Sequence, residues 1–493
     1  MSRIANTLAD TPPHFYRFRD ILLPQRFLPG GRVQASIGSP RKTTAFNCFV
    51  SGTIGDSMDG IMEAAKEAAQ TMRLGGGIGY DFSTIRPRGD LITTLDSKSS
   101  GVLSFMQIFD SVCKTVASAV QRRGAQMGVL RVDHPDIEEF IEAKTNSDNL
   151  TQFNVSVGIT DEFMRCVARG EDFELRFGDR VYRKVDAGYL FDKIMRATWD
   201  WAEPGVLYID RINEMNNLFY CEDIAATNPC GEQPLPPYGA CLLGSFNLTK
   251  YLIESNGKYT MNWDLLDADI PDVVRAMDNI VDRTIYPLPA QEQEAQAKRR
   301  MGLGVTGMAN TGEALGKPYG SPSYIRWQDK VLKTIANETY RASAMLAKEK
   351  GTFPLYEPEL LESAFIKRLD DDVQELIKKH GLRNSHLTSI APTGTISISA
   401  DNVSSGIEPV FSTMFDRTVI DDEGGQRVER VTDYGMRVLG VTNPVTADEC
   451  SVDDHVNVLI HAAKWVDSAV SKTLNVGDDV TWDEFKDIYV KAW

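Results

Sequence analysis

A chain of 493 residues with 42% apolar and 25% charged content reads as a globular sequence large enough for an extensive core. Its formal charge of −16 argues against a broad nucleic-acid-binding surface, which needs clustered Lys and Arg. A small phosphorylated ligand stays open, because backbone N–H groups can hold one whatever the global charge. No run of eighteen apolar residues occurs, and the opening MSRIANTLADTPPHF lacks a signal-peptide core, so a cytoplasmic location is expected. The seven cysteines, 48, 113, 166, 221, 230, 241 and 450, form no CxxC pairs. A disulfide framework and a structural zinc site are therefore poor readings, and no metal site is expected.

Taken in order, the first clear element is a helix with Asp56 as its expected N-cap. Met58, Ile61, Met62, Ala65, Ala69 and Met72 fall at helical spacing, and Gly75-Gly76-Gly77 stops it in a flexible loop. NVSVGI (154–159) reads as a buried strand. Phe173, Leu175 and Phe177 alternate with charged residues before Gly178-Asp179, which predicts a β-hairpin. A long helix runs from Ile325 to Lys350 and stops at Gly351, and LTSIAP (387–392) reads as another buried strand. The final TWDEFKDIYVKAW is an amphipathic helix with Trp482, Phe485, Ile488, Tyr489 and Trp493 on one side. Its apolar ending suggests a truncated chain or one completed by a second polypeptide. No linker divides the sequence, so one large α/β domain over 1–493 is the expectation.

GLGVTG (302–307) matches the dinucleotide pattern GxGxxG and raises a nicotinamide-dependent dehydrogenase as a rival. That motif needs a strand directly before it, and the preceding QEQEAQAKRRM is polar and helix-forming. A second stretch, TNPCGEQPLPPYGACLLGSFNL (227–248), is more informative. Asn228, Cys230 and Glu232 occupy alternate positions, which share a face of an extended segment. Pro229 favours extension of the residue before it, and Gly231 permits close approach of the backbone. On these residues alone, a convergent pocket and a surface loop with a chance cysteine both stand.

NPCGEQPLPPYGACLLGSFNL resembles the finger loop of ribonucleotide reductase catalytic subunits, above all the adenosylcobalamin-dependent class II form. The segments FLPGGR, FNCFVSG, RRGAQM, HPDIEEFI, RRMGLGVTG, RNSHLTSIAPTGTISISA, SSGIEPVF and DSAVSKTLN carry the same resemblance along nearly the whole chain. The fold it implies is a ten-stranded α/β barrel of two antiparallel halves, each of five parallel strands, with the finger at its centre. Its chemistry assigns Cys230 as a transient thiyl, Glu232 as general base and Asn228 as a ribose hydrogen-bond partner. Cys48 and Cys241 become the redox pair, with Cys48 the proton donor to the departing 2′-OH. Cys113, Cys166, Cys221 and Cys450 are expected to be inert.

The same resemblance implies substrate contacts at Asn47 and a diphosphate loop at Thr393, Gly394, Thr395, Ile396 and Ser397, at an expected helix start. A deoxynucleoside triphosphate effector would use Asp56 and Arg86 at a homodimer interface, signalling through Arg122, Arg123, Gly124, Ala125, Gln126 and Met127. Only 45 residues precede FNCFV, too few for the regulatory ATP-cone. Adenosylcobalamin is the implied radical source, with a ferritin-like dimetal subunit the alternative. Ribonucleoside diphosphates are the implied substrates, and thioredoxin or a glutaredoxin-like protein the reductant. A nucleotide-binding chain that complements a partner is the reading of another kind.

Overall fold

The computed structural model describes every residue except 93–95, 118–124, 146–147, 421–424, 476 and 478–479. The strands that build the centre are β1 (Phe27–Pro29), β2 (Cys48–Val50), β3 (Gly77–Asp81), β4 (Gln126–Arg131), β5 (Phe153–Ile159) and β6 (Gly205–Tyr208). They are followed by β7 (Ala226–Thr227), β8 (Pro234–Leu235), β9 (Ala240–Cys241), β10 (Leu243–Asn247) and β11 (Gly302–Thr306).

One sheet has the order β6-β5-β4-β3-β2-β9. Its first five strands are parallel, and β9 closes it antiparallel to β2. After Leu242 the chain continues into β10, which lies parallel to β11 and antiparallel to the edge strand β1. The parallel run extends by single bridges from Leu303 to Thr388 and from Ile390 to Val470. A five-stranded parallel set and a second parallel set running against it thus meet at the β2–β9 pair. Both faces of such strands are covered, which is why they read as near-continuous apolar runs.

Helices cover each set. The helix Pro322–Lys350 begins at Ser321, whose side chain accepts from the Tyr324 N–H, and ends at Gly351 as expected. It packs on Trp263–Arg283 beside the second set. The expected hairpin forms from Asp172–Phe177 and Arg180–Asp186. The last helix, Trp482–Ala492, carries a full Thr481/Glu484 capping box and lays Phe485 and Ile488 against the core of the first sheet. No helix among the described residues is long and apolar enough to cross a membrane. The interior falls into a large apolar core around each set. Between them lies a small cluster holding Cys48, Met127, Cys241, Leu243 and Ala391 with Ala226 and Leu235.

Four expectations need correction. The helix Met58–Arg73 is capped by Ser57, which accepts from the Gly60 N–H, because the Asp56 carboxylate is taken by Arg86. Its buried face is Ile61, Ala64, Ala65, Ala68, Thr71 and Met72, so Met58 and Met62 are exposed and Ala69 is only half-buried. Gly77 opens strand β3 instead of belonging to a loop. Residues 387–391 of LTSIAP are buried but make only isolated bridges; the Asp467 carboxylate takes the amides of Leu387 and Thr388 that a ladder would use. By contrast, the first two glycines of GLGVTG lie inside β11, which agrees with the rejection of the dinucleotide reading.

Candidate active site

The finger is the hairpin of β7 and β8. Its tip closes through Asn228: the backbone N–H donates to the Gln233 carbonyl (3.1 Å), and the side-chain Oδ1 accepts from the Gln233 N–H (3.0 Å). Gly231, at φ +81°, makes the turn that a side chain would strain, and its N–H donates to the Asn228 carbonyl (3.0 Å). The tip therefore has its own hydrogen-bonded frame, which presents residues 228, 230 and 232.

Both parallel sets grip this hairpin. From the first, Asn154 Nδ2 donates to the Pro229 carbonyl (2.9 Å), and β3 comes so close that a Cβ at Gly79 would stand 1.8 Å from the Thr227 carbonyl oxygen. From the second, the Ala469 N–H donates to the Glu232 carbonyl (3.0 Å). A Cβ at Gly302 would meet both Gln233 Nε2 and Ser389 Oγ at 2.4 Å. The finger lies between the two sets because glycines clear the space for it.

Cys48 and Cys241 are directly opposed register partners of β2 and β9. Opposed residues of an antiparallel pair have Cα atoms about 4.5–5.5 Å apart, inside the range a disulfide requires. A Cβ at Gly77 would be 3.1 Å from both Cys48 Sγ and Pro229 Cγ, so the Cys48 sulfur faces the finger. Cys241 is fully buried, and burial, reinforced by Glu232, Cys48 and Cys230 close by, pushes its thiol well above the ordinary range. Three sulfurs and one carboxyl thus share a single locus. Among the three, Cys230 is exposed and the other two are buried.

Burial also pushes the Glu232 carboxyl up to about 7, an effect the nearby Asn228 amide tempers. Asn47 Oδ1, Asn228 Nδ2, Glu232 Oε2, both polar side-chain atoms of Gln233 and Ser389 Oγ are buried without a hydrogen-bond partner. Buried polar atoms are seldom left so. Their concentration among the described residues around the thiols leaves hydrogen-bonding capacity that a polar ligand would meet.

The residues 393–397 stand at the start of the short helix Gly394–Ser399, three positions past Ala391 of the thiol cluster. Two of their hydroxyls are committed within the protein. Thr393 Oγ1 accepts from the Gly406 N–H (2.7 Å) and meets Thr306 Oγ1 (3.1 Å), and Ser397 Oγ donates to the Gly394 carbonyl (3.1 Å). Gly394 and Thr395 are the exposed members, and Ile396 is buried. Asp56 and Arg86 are brought together, Nε to Oδ2 at 2.8 Å, far along the fold from the thiols. Of the signalling loop, Met127 joins the thiol cluster, whereas Gln126 is turned into the core, accepting from Tyr80 Oη (2.8 Å). Ala125 stands at the entry to β4, its carbonyl 3.2 Å from a Cβ at Gly77; Arg122, Arg123 and Gly124 lie outside the described residues. Sequence reasoning missed Asn154, Gln233 and Ser389. A lone Asn opening an apolar strand was the one local signal.

The fold and site define an α/β protein whose central hairpin brings a thiol and a carboxyl to a buried pair of thiols. Residues 46–493 match the family described as ribonucleotide reductase, barrel domain. The chain belongs to that family. It is 36% identical to a vitamin B12-dependent ribonucleoside-diphosphate reductase of Mycobacterium tuberculosis, over 97% of this chain and 70% of that protein. A protein of the same description from Thermoplasma acidophilum is 33% identical, over 97% and 63%. A ribonucleoside-diphosphate reductase subunit alpha of Chlamydia pneumoniae is 24% identical, over 97% and 53%. The chain thus spans roughly two thirds of the length of the more similar relatives.

Proposed function

We propose that this chain reduces ribonucleoside diphosphates to 2′-deoxyribonucleotides by radical chemistry, in a class II manner with adenosylcobalamin. The observation that carries the reading is the convergence of Cys48, Cys230, Cys241 and Glu232 on one locus. The proposed frame is a single barrel domain of ten strands, in keeping with the two opposed parallel sets.

The cofactor's fit rests on exposure: Cys230 is open to an incoming group, while Cys48 and Cys241 are closed off. Adenosylcobalamin, when bound, supplies the one-electron oxidation that turns the Cys230 thiol into a thiyl. Cys230 then takes the 3′-hydrogen of the ribose, a reversible exchange because S–H and ribose C–H bonds are similar in strength. Glu232, as base, receives the 3′-OH proton, and the unpartnered Asn228 Nδ2 donates to a ribose oxygen. Cys48 protonates the 2′-OH, which departs as water. Cys48 and Cys241 together give up two electrons and two protons and close a disulfide: one proton leaves in the water, the electrons and the other proton form the new C2′–H bond, Glu232 returns its proton to the 3′ oxygen, and Cys230 returns the hydrogen to C3′. An external dithiol, such as a thioredoxin-like protein, reopens the pair. Burial favours the protonated form of Cys241, the form this sequence consumes.

Backbone N–H groups at 394–396 and the Thr395 hydroxyl are the proposed diphosphate donors, with Asn47 Oδ1 a further substrate contact. A deoxynucleoside triphosphate at Asp56 and Arg86 is the proposed effector. The exposed Met58 and Met62 support a homodimer covering that helix. Incubation of the purified chain with a ribonucleoside diphosphate, adenosylcobalamin and a dithiol tests the reading. Deoxyribonucleotide should form and Cys230→Ser should abolish it; product with a ferritin-like subunit but none with adenosylcobalamin would refute the class II assignment.

A further inference from the structure

A buried guanidinium ties the segment before the finger hairpin to the hairpin's returning strand. Arg300 Nη2 donates to Glu222 Oε1 (2.5 Å), in the segment that leads into β7. Its Nη1 donates to the carbonyl of Pro234 in β8 (3.3 Å). Lys298 Nζ holds the other Glu222 oxygen at 2.7 Å and reaches Glu294 at 2.7 Å. The side chains of Arg300 and Glu222 are each only 3% exposed, and Arg300 Nε has no partner. Two residues on, Gly302 provides the space into which Gln233 fits.

Stability alone is a weak reason for this arrangement. Taking two charges out of water costs several kcal/mol per ion, and well-packed apolar residues often serve as well or better. An under-satisfied guanidinium adds to that cost. The arrangement does fix geometry: a planar fork presents donors in set directions and can span two acceptors at once, whereas an ammonium is a point charge. Here the acceptors are Glu222, four residues before the entering strand, and Pro234, the first residue of the returning strand and four residues after Cys230.

We infer that Arg300, held by Glu222, is a positioning residue that sets the height and tilt of the finger and hence the place of the Cys230 sulfur. It touches neither substrate nor thiol and acts through the hairpin. The inference rests on the reductase reading for its kinetic consequence only.

Arg300→Lys keeps the charge and removes the fork. Its thermal midpoint should stay near that of the parent, and KM for the nucleotide should stay within about twofold. The kcat should fall about a hundredfold, the order that a displacement near 1 Å costs. A second readout needs no turnover: alkylation of Cys230, measured by mass spectrometry against Cys166 in the same sample, should change severalfold. Glu222→Gln keeps the bond to Pro234 and should give a smaller effect of the same kind. Either variant folded with parental kcat and alkylation ratio overturns the inference. So does a lowered midpoint with parental kcat in the folded fraction, or failure of both variants to fold, since each shows a purely structural role. Absence of reductase activity in the parent would refute the proposed function, while the alkylation ratio would still decide the role of Arg300.

Discussion

Glu232 is a carboxyl buried among a carboxamide and thiols, with one oxygen lacking a donor. Desolvation raises its pKa from 4.5 to about 7, so two measurements on the same residue must agree. As a base it works only when ionised, so kcat/KM should climb with pH through about 7 and then level off. Stability runs the other way. Below pH 4.5 both folded and unfolded chains hold the proton, and no cost arises. Between 4.5 and 7 the unfolded chain ionises first, and above 7 the folded state carries the full penalty, about 3 kcal/mol for a shift of this size. Glu232→Gln should therefore lose the kinetic limb with nearly all activity, yet melt higher than the parent at pH 8 and equally at pH 4.5. A parental melting point at pH 8 would show that the carboxyl is not penalised by burial. The proposed catalytic side chains were singled out through a resemblance carried by a long contiguous stretch around NPCGE, which places three of them in five consecutive residues. Gln233, Ser389 and Arg300 were not: a Gln, a Ser or one Arg of a basic pair carries no pattern until the fold buries it.

At the scale of elements, the fit of the finger against β3 depends on an absent side chain. A Cβ at Gly79 would stand 1.8 Å from the Thr227 carbonyl oxygen, a backbone atom that moves only with the hairpin. Gly79→Ala should cost roughly 1–3 kcal/mol or more by overpacking, and should displace the tip enough to suppress turnover. Gly158→Ala, on β5 of the same sheet, supplies the comparison. Its new Cβ would have ordinary contacts at 3.7 and 3.8 Å, so near-parental melting and activity are expected. Equal losses in both variants would mean that the strands simply tolerate no methyl group. Helices and hairpins followed from periodicity and stop signals, as Gly351 shows at the end of its helix, whereas the start at Ser321 lies ahead of the expected Ile325. Boundaries failed where a side chain did something periodicity cannot register. Asp56 pairs with Arg86 instead of capping a helix, and Asp467 takes the amides that would have made LTSIAP a strand.

Over the whole molecule, the β2–β9 pair is the seam between the two parallel sets, and the proposed redox pair lies on it. Nothing local in the sequence foretells that seam, because Cys48 and Cys241 are joined by some 190 residues of intervening chain that only the three-dimensional fold closes. That separation gives the oxidised form a thermodynamic signature. A covalent link closing a loop of that length removes enough unfolded-state entropy to stabilise the native state by about 5 kcal/mol in the chain-entropy account. Native geometry adds little strain, since the partners already stand opposite one another at a separation a disulfide accepts. Protein oxidised by one turnover without a dithiol should thus melt well above the reduced protein, and a dithiol should reverse the gain. Cys48→Ser should melt at one temperature under both conditions, with no Cys48–Cys241 peptide in the digest. Equal melting of oxidised and reduced parent, with that peptide present, would mean that closing the bond distorts the seam by as much as the cross-link stabilises it. Opposed thiols in register would then be insufficient to make the pair a relaxed disulfide.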